Sequence, residues 1–317
     1  MSQSRLQKVI LHAIIMVFVV LTLIPFAFAL NNSFRTNNEM YHRFFGLPNA
    51  FKDMIEGAKA VMLGQTEQRI EVFTEKGKLE TFAPRQAVYE AWQTATKGYR
   101  LGWEVLRQYI LNTIFVVVCT AGGVALIASV AAYVLSRYRF PMHRAIFYYI
   151  IAAMMFPGVL LFVPSFMVVR SLGLLNTYWV MILPYIAGGQ ILATYIFKSF
   201  FDGLPEDLFE SARIDGAGHF RIYKDIVIPL SKPMFSVVII MNTFGVWNNF
   251  LWPFVTLQDD ELHPIASGLY VMATSTFGQN FSTLFSSYMV SAIPMLLIFI
   301  YATKPFIEGV TSGAFKA

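Results

Sequence analysis

The sequence predicts an all-α polytopic membrane protein, with six transmembrane helices and a small, partly β insertion on the outer side. Windows of about 20 largely apolar residues, the length needed to cross a bilayer core, recur six times in the 317 residues. Only 14% of the residues are charged and 56% are hydrophobic, whereas a soluble domain carries about 25% charged residues. Mean hydropathy is +0.55. This composition excludes a disordered or collagenous chain and argues against an ordinary cytosolic enzyme.

The six windows are residues 9–30, 109–135, 145–169, 178–197, 233–255 and 284–303. None contains Asp, Glu, Lys or Arg, and His12 is the only side chain in them that can become charged. The first window has two readings. Arg5 and Lys8, an apolar stretch and Ala27-Phe28-Ala29 resemble a signal peptide with a small-residue cleavage site. Residues 9–26 alone, however, exceed the usual h-region of about 7–15 residues, which favours a retained helix.

Orientation follows from Lys and Arg in short loops. The run Arg137-Tyr138-Arg139-Phe140-Pro141-Met142-His143-Arg144 between windows two and three is basic. The loop between windows four and five, 199–232, is also basic, with Arg213, Arg221, Lys224 and Lys232, and Lys198 just before it. The opposite side carries Arg170 and the acidic Asp259-Asp260-Glu261. Residues 1–8 and 304–317 therefore face the cytoplasm of a cell membrane. The net charge of +5 is a topology signal and does not point to nucleic acid. Residues 31–107 are long enough to cross regardless of charge.

In that outer segment, Arg69-Ile70-Glu71-Val72-Phe73-Thr74 alternates, Glu75-Lys76-Gly77-Lys78 can turn, and Leu79-Glu80-Thr81-Phe82 can return as a hairpin. Two strands are marginal alone, so the hairpin is expected to pack on helices or a partner. Residues 85–107 read as a helix leading into window two, with Trp103 and Tyr109 at the membrane surface.

The loop at 204–220 is the most informative stretch. Pro205 suits a first helical turn, and Glu206 and Asp207 suit the positive end of the helix dipole. Gly216 and Gly218 bracket a sharp stop, since glycine accepts left-handed angles cheaply. A second helical run, 220–228, is expected to end at Pro229. Two short helices meeting at a glycine elbow describe a lever for a partner's groove.

The run Glu210-Ser211-Ala212-Arg213-Ile214-Asp215-Gly216-Ala217, continued by Ile226, Ile228 and Pro229, resembles the EAA signature of permease subunits of binding-protein-dependent ABC importers, in its carbohydrate-type form. Similar in the same way are Ala132-Tyr133-Val134-Leu135-Ser136-Arg137-Tyr138-Arg139-Phe140-Pro141, Leu172-Gly173-Leu174-Leu175-Asn176-Thr177, Trp247-Asn248-Asn249-Phe250 and the tail from Gly309. Together they cover about residues 100–317 and resemble the maltose and oligosaccharide subunit that ends in such a tail. The resemblance implies a type I importer permease fold, with 108–303 as the core. It places Glu210, Ser211, Ala212, Asp215, Gly216 and Ala217 against an ATP-hydrolysing subunit, and Ser312, Gly313 and Ala314 between two such subunits. It also implies as partners a second, different permease subunit, two copies of the ATP-binding subunit and an extracytoplasmic solute-binding protein touching 256–283.

No G-x-x-x-x-G-K-[ST] motif occurs, so ATP and Mg²⁺ are expected on partner subunits, and no cofactor or catalytic residue on this chain. Scattered histidines and the single Cys119 give no metal-ligand spacing and no internal disulfide. Polar groups within the windows are amides and hydroxyls. Asn242, Asn248 and Asn249 suit an uncharged, hydroxyl-rich cargo, although amides equally serve helix–helix hydrogen bonds. An ion-coupled secondary transporter is the rival reading. Intramembrane carboxylates commonly carry such coupling, and the windows have none.

Overall fold

The structure, a computed structural model, describes the backbone of residues 5–43, 45–65, 67–74, 78–275 and 280–314, and side chains within 7–304. In chain order come α1 (Arg5–Asn32), α2 (Asn37–His42), α3 (Asn49–Met62), β1 (Ile70–Phe73), β2 (Leu79–Phe82) and α4 (Pro84–Arg137). Next are α5 (His143–Met154), α6 (Phe162–Ser171), α7 (Trp179–Asp202), α8 (Glu206–Ile214), α9 (His219–Ile222) and α10 (Ile228–Leu230). The chain continues through α11 (Lys232–Trp247), α12 (Leu251–Thr256), α13 (Ile265–Thr274) and α14 (Phe281–Ala314). Residues up to Arg107 with Leu269–Ile293 form one unit, and Gln108–Gly268 with the remainder form a second.

In the first unit, α1 presents apolar side chains all round and buries none of its most apolar window, as a lipid-facing span does. Thr36 and Glu39 form a reciprocal capping box that starts α2, satisfying N–H groups that have no partner within the helix. The hairpin pairs antiparallel, Ile70 opposite Phe82 and Phe73 opposite Leu79. Ile70 and Val72 point inward while Glu71 stays exposed, the period-2 pattern of a half-buried strand. Both pack with Ala50 and Ala60 of α3 and Ala87, Ala91 and Ala95 of α4. The expected support for the hairpin is thus intramolecular. The expected turn at Glu75-Lys76-Gly77 lies outside the described residues. α2 and α3 were not anticipated.

Also in this unit, α4 approaches α14 very closely. A Cβ on Gly98 would sit 2.5 Å from the hydroxyls of Ser282 and Ser286 and 2.6 Å from the Ser282 carbonyl. Gly102 stands equally close to Ser287. Ser282 and Ser286 donate to the Ser33 carbonyl at 3.2 and 3.1 Å, and the Ser33 hydroxyl meets Tyr99 at 2.7 Å. Small residues bring the backbones together and hydroxyls join them, as in apolar surroundings.

In the second unit, one cluster of buried residues joins Val124, Ala128 and Ala132 of α4 to Phe197 and Phe201 of α7, Phe209 of α8 and Val238 of α11. A second cluster joins Val116, Val180, Met181, Val246 and Trp252.

Among the described residues, four helices are long and apolar enough to cross a membrane, or up to six spans if each bent pair counts as one. The third window is such a pair, bent by 96° between 154 and 158, where Pro157 cannot continue the helix. The fifth is not the straight helix expected over 233–255: α11 stops at Trp247 and α12 restarts at Leu251. Upstream, Pro229 does not end the 219–230 run. A π-helical turn at Tyr223–Val227 widens the coil where the proline ring would collide with the carbonyl four residues back.

Candidate functional site

The 204–220 loop folds as a short helix with a defined stop. Pro205 is the residue before α8 rather than its first residue, and Glu206 and Asp207 occupy the first turn. At the other end the Gly216 N–H donates to the Arg213 carbonyl at 3.0 Å and the Ala217 N–H to the Ala212 carbonyl at 2.9 Å. This bond pair is a Schellman motif. Gly216 has φ +77°, and a Cβ added there would meet nothing within 4 Å. Backbone conformation alone therefore requires the glycine. Gly218 has φ −72° and ψ 163°, so extended backbone replaces the left-handed angle expected there.

α8 has two faces. Phe209 and Ala212 are buried in the core cluster, with Ala217 packed against it. Glu210, Ser211 and Asp215 point to solvent, and Ile214 is 86% exposed beside Leu208 at 41%.

What holds α8 in place is the end of α4. The Arg137 guanidinium lies 3.8 Å over the Phe209 ring, donates to Glu206 at 2.6 Å, and also donates to the carbonyls of Phe201 and Leu204. Ser136 donates to Asp202 at 2.6 Å, and Lys198 pairs with the same carboxylate at 2.6 Å. Next to this, the Tyr138 and His219 rings meet at a tilt of 39° with centroids 4.5 Å apart, and Tyr223 meets Tyr133 and the Ser129 hydroxyl.

A cavity of about 360 Å³ opens between α7 and α11. Tyr185, Asn242 and Asn249 line it, and Gly188, Gly189 and Gly245 give it room. Each of the three asparagines also serves the backbone. The Asn242 amide donates to the Val238 carbonyl at 2.9 Å and the Asn248 amide to the Phe244 carbonyl at 2.9 Å. Asn249 accepts from the Trp252 N–H at 3.3 Å, so the Asn248-Asn249 pair finishes one helix and begins the next. The Tyr185 hydroxyl is buried with no hydrogen-bond partner among the described residues.

Elsewhere in the second unit, Asn112 is 3% exposed and uses its whole amide. It donates to the carbonyls of Glu261 and His263 at 2.6 and 3.0 Å and accepts from Tyr178 at 2.8 Å. Thr113 accepts from the Ile265 N–H at 2.7 Å. Asn176, at φ 58°, accepts from the N–H groups of Gln258 and Asp259 at 3.0 and 2.9 Å. Burial holds the His263 imidazole below its ordinary range, with Asp260 and Asp259 working in the opposite direction.

The structure thus puts Glu210, Ser211, Ala212, Asp215, Gly216 and Ala217 in one helix-and-elbow unit. Asn242 and Asn249 share the cavity, and Asn248 does not line it. Ser312, Gly313 and Ala314 fall in the last turn of α14, and their side chains lie outside the described residues. Sequence reasoning counted Arg137 as a topology charge and as part of a run resembling the family, and neither reading pointed to its contacts with α8. Among the described residues no group of His, Cys, Asp and Glu could hold a metal ion.

Residues 123–304 match the model of the family described as binding-protein-dependent transport system inner membrane component. The chain is 29% identical over 316 residues to the diacetylchitobiose uptake system permease protein of Streptomyces coelicolor, covering 99% of this chain and 91% of that one. It is 33% identical over 215 residues to the arabinooligosaccharides transport system permease protein of Bacillus subtilis, covering 68% and 75%. It is similar in fold to a chain in the crystal structure of a bacterial ABC transporter involved in import of the acidic polysaccharide alginate. That match has a TM-score of 0.72 and 19% identity, over 96% of this chain and 99% of the other. With more than half its length under the family model, this multi-pass chain belongs to the binding-protein-dependent transport system inner membrane components.

Proposed function

We propose that the chain is one permease half of an ATP-driven importer for a sugar or oligosaccharide, with nucleotide hydrolysis supplied by separate ATPase subunits that seat α8. Family membership supports a binding-protein-dependent system over an ion-coupled one, and the relatives named for oligosaccharides support the cargo class. The observation that carries the coupling role is the elbow. α8 is pinned on its Phe209–Ala212 face and offers Glu210, Ser211 and Ile214 outward, so a subunit gripping that face pulls on the membrane core. Both termini are cytoplasmic in this reading, with Ser312, Gly313 and Ala314 reaching the ATPase pair.

The mechanism follows from those parts. ATP and Mg²⁺ on the partner subunits draw the pair together, the 206–217 unit is displaced, and the spans swing the cavity from one face of the membrane to the other. The cavity lined by Tyr185, Asn242 and Asn249 then forms part of the path. Its amides and buried hydroxyl offer hydrogen bonds without charge, as a neutral sugar requires, and Asn248 lies beside it at the same helix break. The acidic turn at 259–261 faces the binding protein.

The test is co-purification. The isolated chain hydrolyses no ATP, and ATPase subunits expressed with it are retained. Glu210→Lys reduces their retention about tenfold, as expected for a buried charged contact turned repulsive, while membrane insertion continues. Turnover by the isolated polypeptide, or full retention with Glu210 reversed, overturns the reading.

A further inference from the structure

Arg137 is only 7% exposed in its side chain, and a guanidinium is costly to bury unless its donors are met; its two Nη atoms are met, while Nε has no partner among the described residues. The partners belong to successive pieces of chain. Phe201 is in the last turn of α7, Leu204 in the link, Glu206 in the first turn of α8, and Phe209 on the inner face of α8. Carbonyls at a helix C-terminus lack N–H donors within the helix, and a cationic side chain can donate to them. The neighbouring Ser136–Asp202–Lys198 contacts form a second seam between the same two helix ends.

We infer that Arg137 is a positioning residue that fixes the angle between α7 and α8, so that α4, α7 and α8 move as one body when α8 is displaced. Without it the link Gly203-Leu204-Pro205 is a hinge, and movement of α8 is spent in bending there. The inference rests on the coupling role proposed above. Planarity is what the site uses: one flat fork serves a carboxylate and two carbonyls while stacked on a ring. A lysine supplies charge without that geometry.

The experiment places spin labels at Ile214→Cys and Val134→Cys, with Cys119→Ser, in the complex assembled with its ATPase subunits. Distances are recorded without nucleotide and with Mg·ATP and vanadate. With Arg137 present, the distance distribution is narrow and the same in both states. Arg137→Gln broadens it about twofold or more, as local opening at the link requires, at unchanged yield of assembled complex. Arg137→Lys keeps the charge and assembles, and it broadens the distribution less. Glu206→Gln leaves the width unchanged, since a half-exposed ion pair contributes little. If Arg137→Gln does not assemble, the lysine variant decides. Unchanged widths in the Arg137 variants, or broadening in Glu206→Gln equal to that in Arg137→Gln, overturn the inference. Mobility of the Ile214 label separates the two readings. If ATPase subunits do not immobilise it, the coupling role fails. If they do and the Arg137 variants keep their width, only the joint fails.

Discussion

Gly216 allows backbone strain to be separated from bulk. Its φ of +77° is left-handed, and the space around a Cβ there is empty to 4 Å. A substitution therefore meets no neighbour in this chain and pays only for its dihedral angles, roughly 1–2 kcal/mol for an ordinary L residue. Asparagine enters this region more readily than alanine, although it is larger, and a β-branched valine enters least readily. The expected order of damage is Asn below Ala below Val. Opening the elbow breaks the Gly216 and Ala217 bonds to Arg213 and Ala212 and exposes the chain between Arg213 and Arg221, which are both on the surface. Trypsin nicking in that stretch, in detergent-solubilised protein, reports the open population when reclosing is fast. A penalty of 1–2 kcal/mol multiplies that population by about 5–30, with Asn near the bottom of the range or below it and Val near the top. An order following side-chain volume, with Asn worse than Ala, would refute the strain argument.

Other outcomes follow from the first unit. Gly98→Ala forces a methyl to within 2.6 Å of the Ser282 carbonyl, an overpacking that costs about 1–3 kcal/mol. A thermal shift assay should show a lower Tm, and Ser282→Gly should not restore it because the carbonyl at that position and the Ser286 hydroxyl remain. Burial raises the Asp53 carboxyl from an ordinary 3.8 to about 6, helped by Glu56 and Glu39 and opposed by a hydrogen bond with the Phe73 backbone. The folded state then holds this proton more tightly than the unfolded one. Its stabilising contribution is complete below pH 4 and is lost as pH rises through 6, on the order of 1 kcal/mol after discounting for solvent. Melting of the first unit should shift upward between pH 7.5 and pH 5, and Asp53→Asn should flatten that dependence.

The spans were legible because apolar length is a local property: every one of the six windows contains helix. Their interruptions were less legible. Pro157 and the Asn248-Asn249 pair are visible in the sequence, yet a proline within an apolar window also fits a mild kink, as Pro184 in the continuous α7 shows. Pro229 was misread as a stop because the π-helical turn that accommodates it has no residue signature. α2 and α3 were missed although Thr36 and Glu39 stand at capping-box spacing, a signal that needed only to be read. The elbow was legible at Gly216, where a left-handed end needs glycine. Arg137 was not, since two of its acceptors are carbonyls, which every residue has, and these and the Glu206 carboxylate are brought near by the return of α7 some 65 positions later.

The turn at 257–263 bears on the docking of a solute-binding protein proposed above. Its backbone is tethered from beneath by Asn112, Thr113 and Asn176, so its conformational freedom has already been surrendered during folding. Association at this turn loses little further entropy, and a visiting protein meets an acidic template of fixed shape. Brief, repeated docking suits a surface of this kind, because each encounter begins from the same geometry and each departure leaves it unchanged.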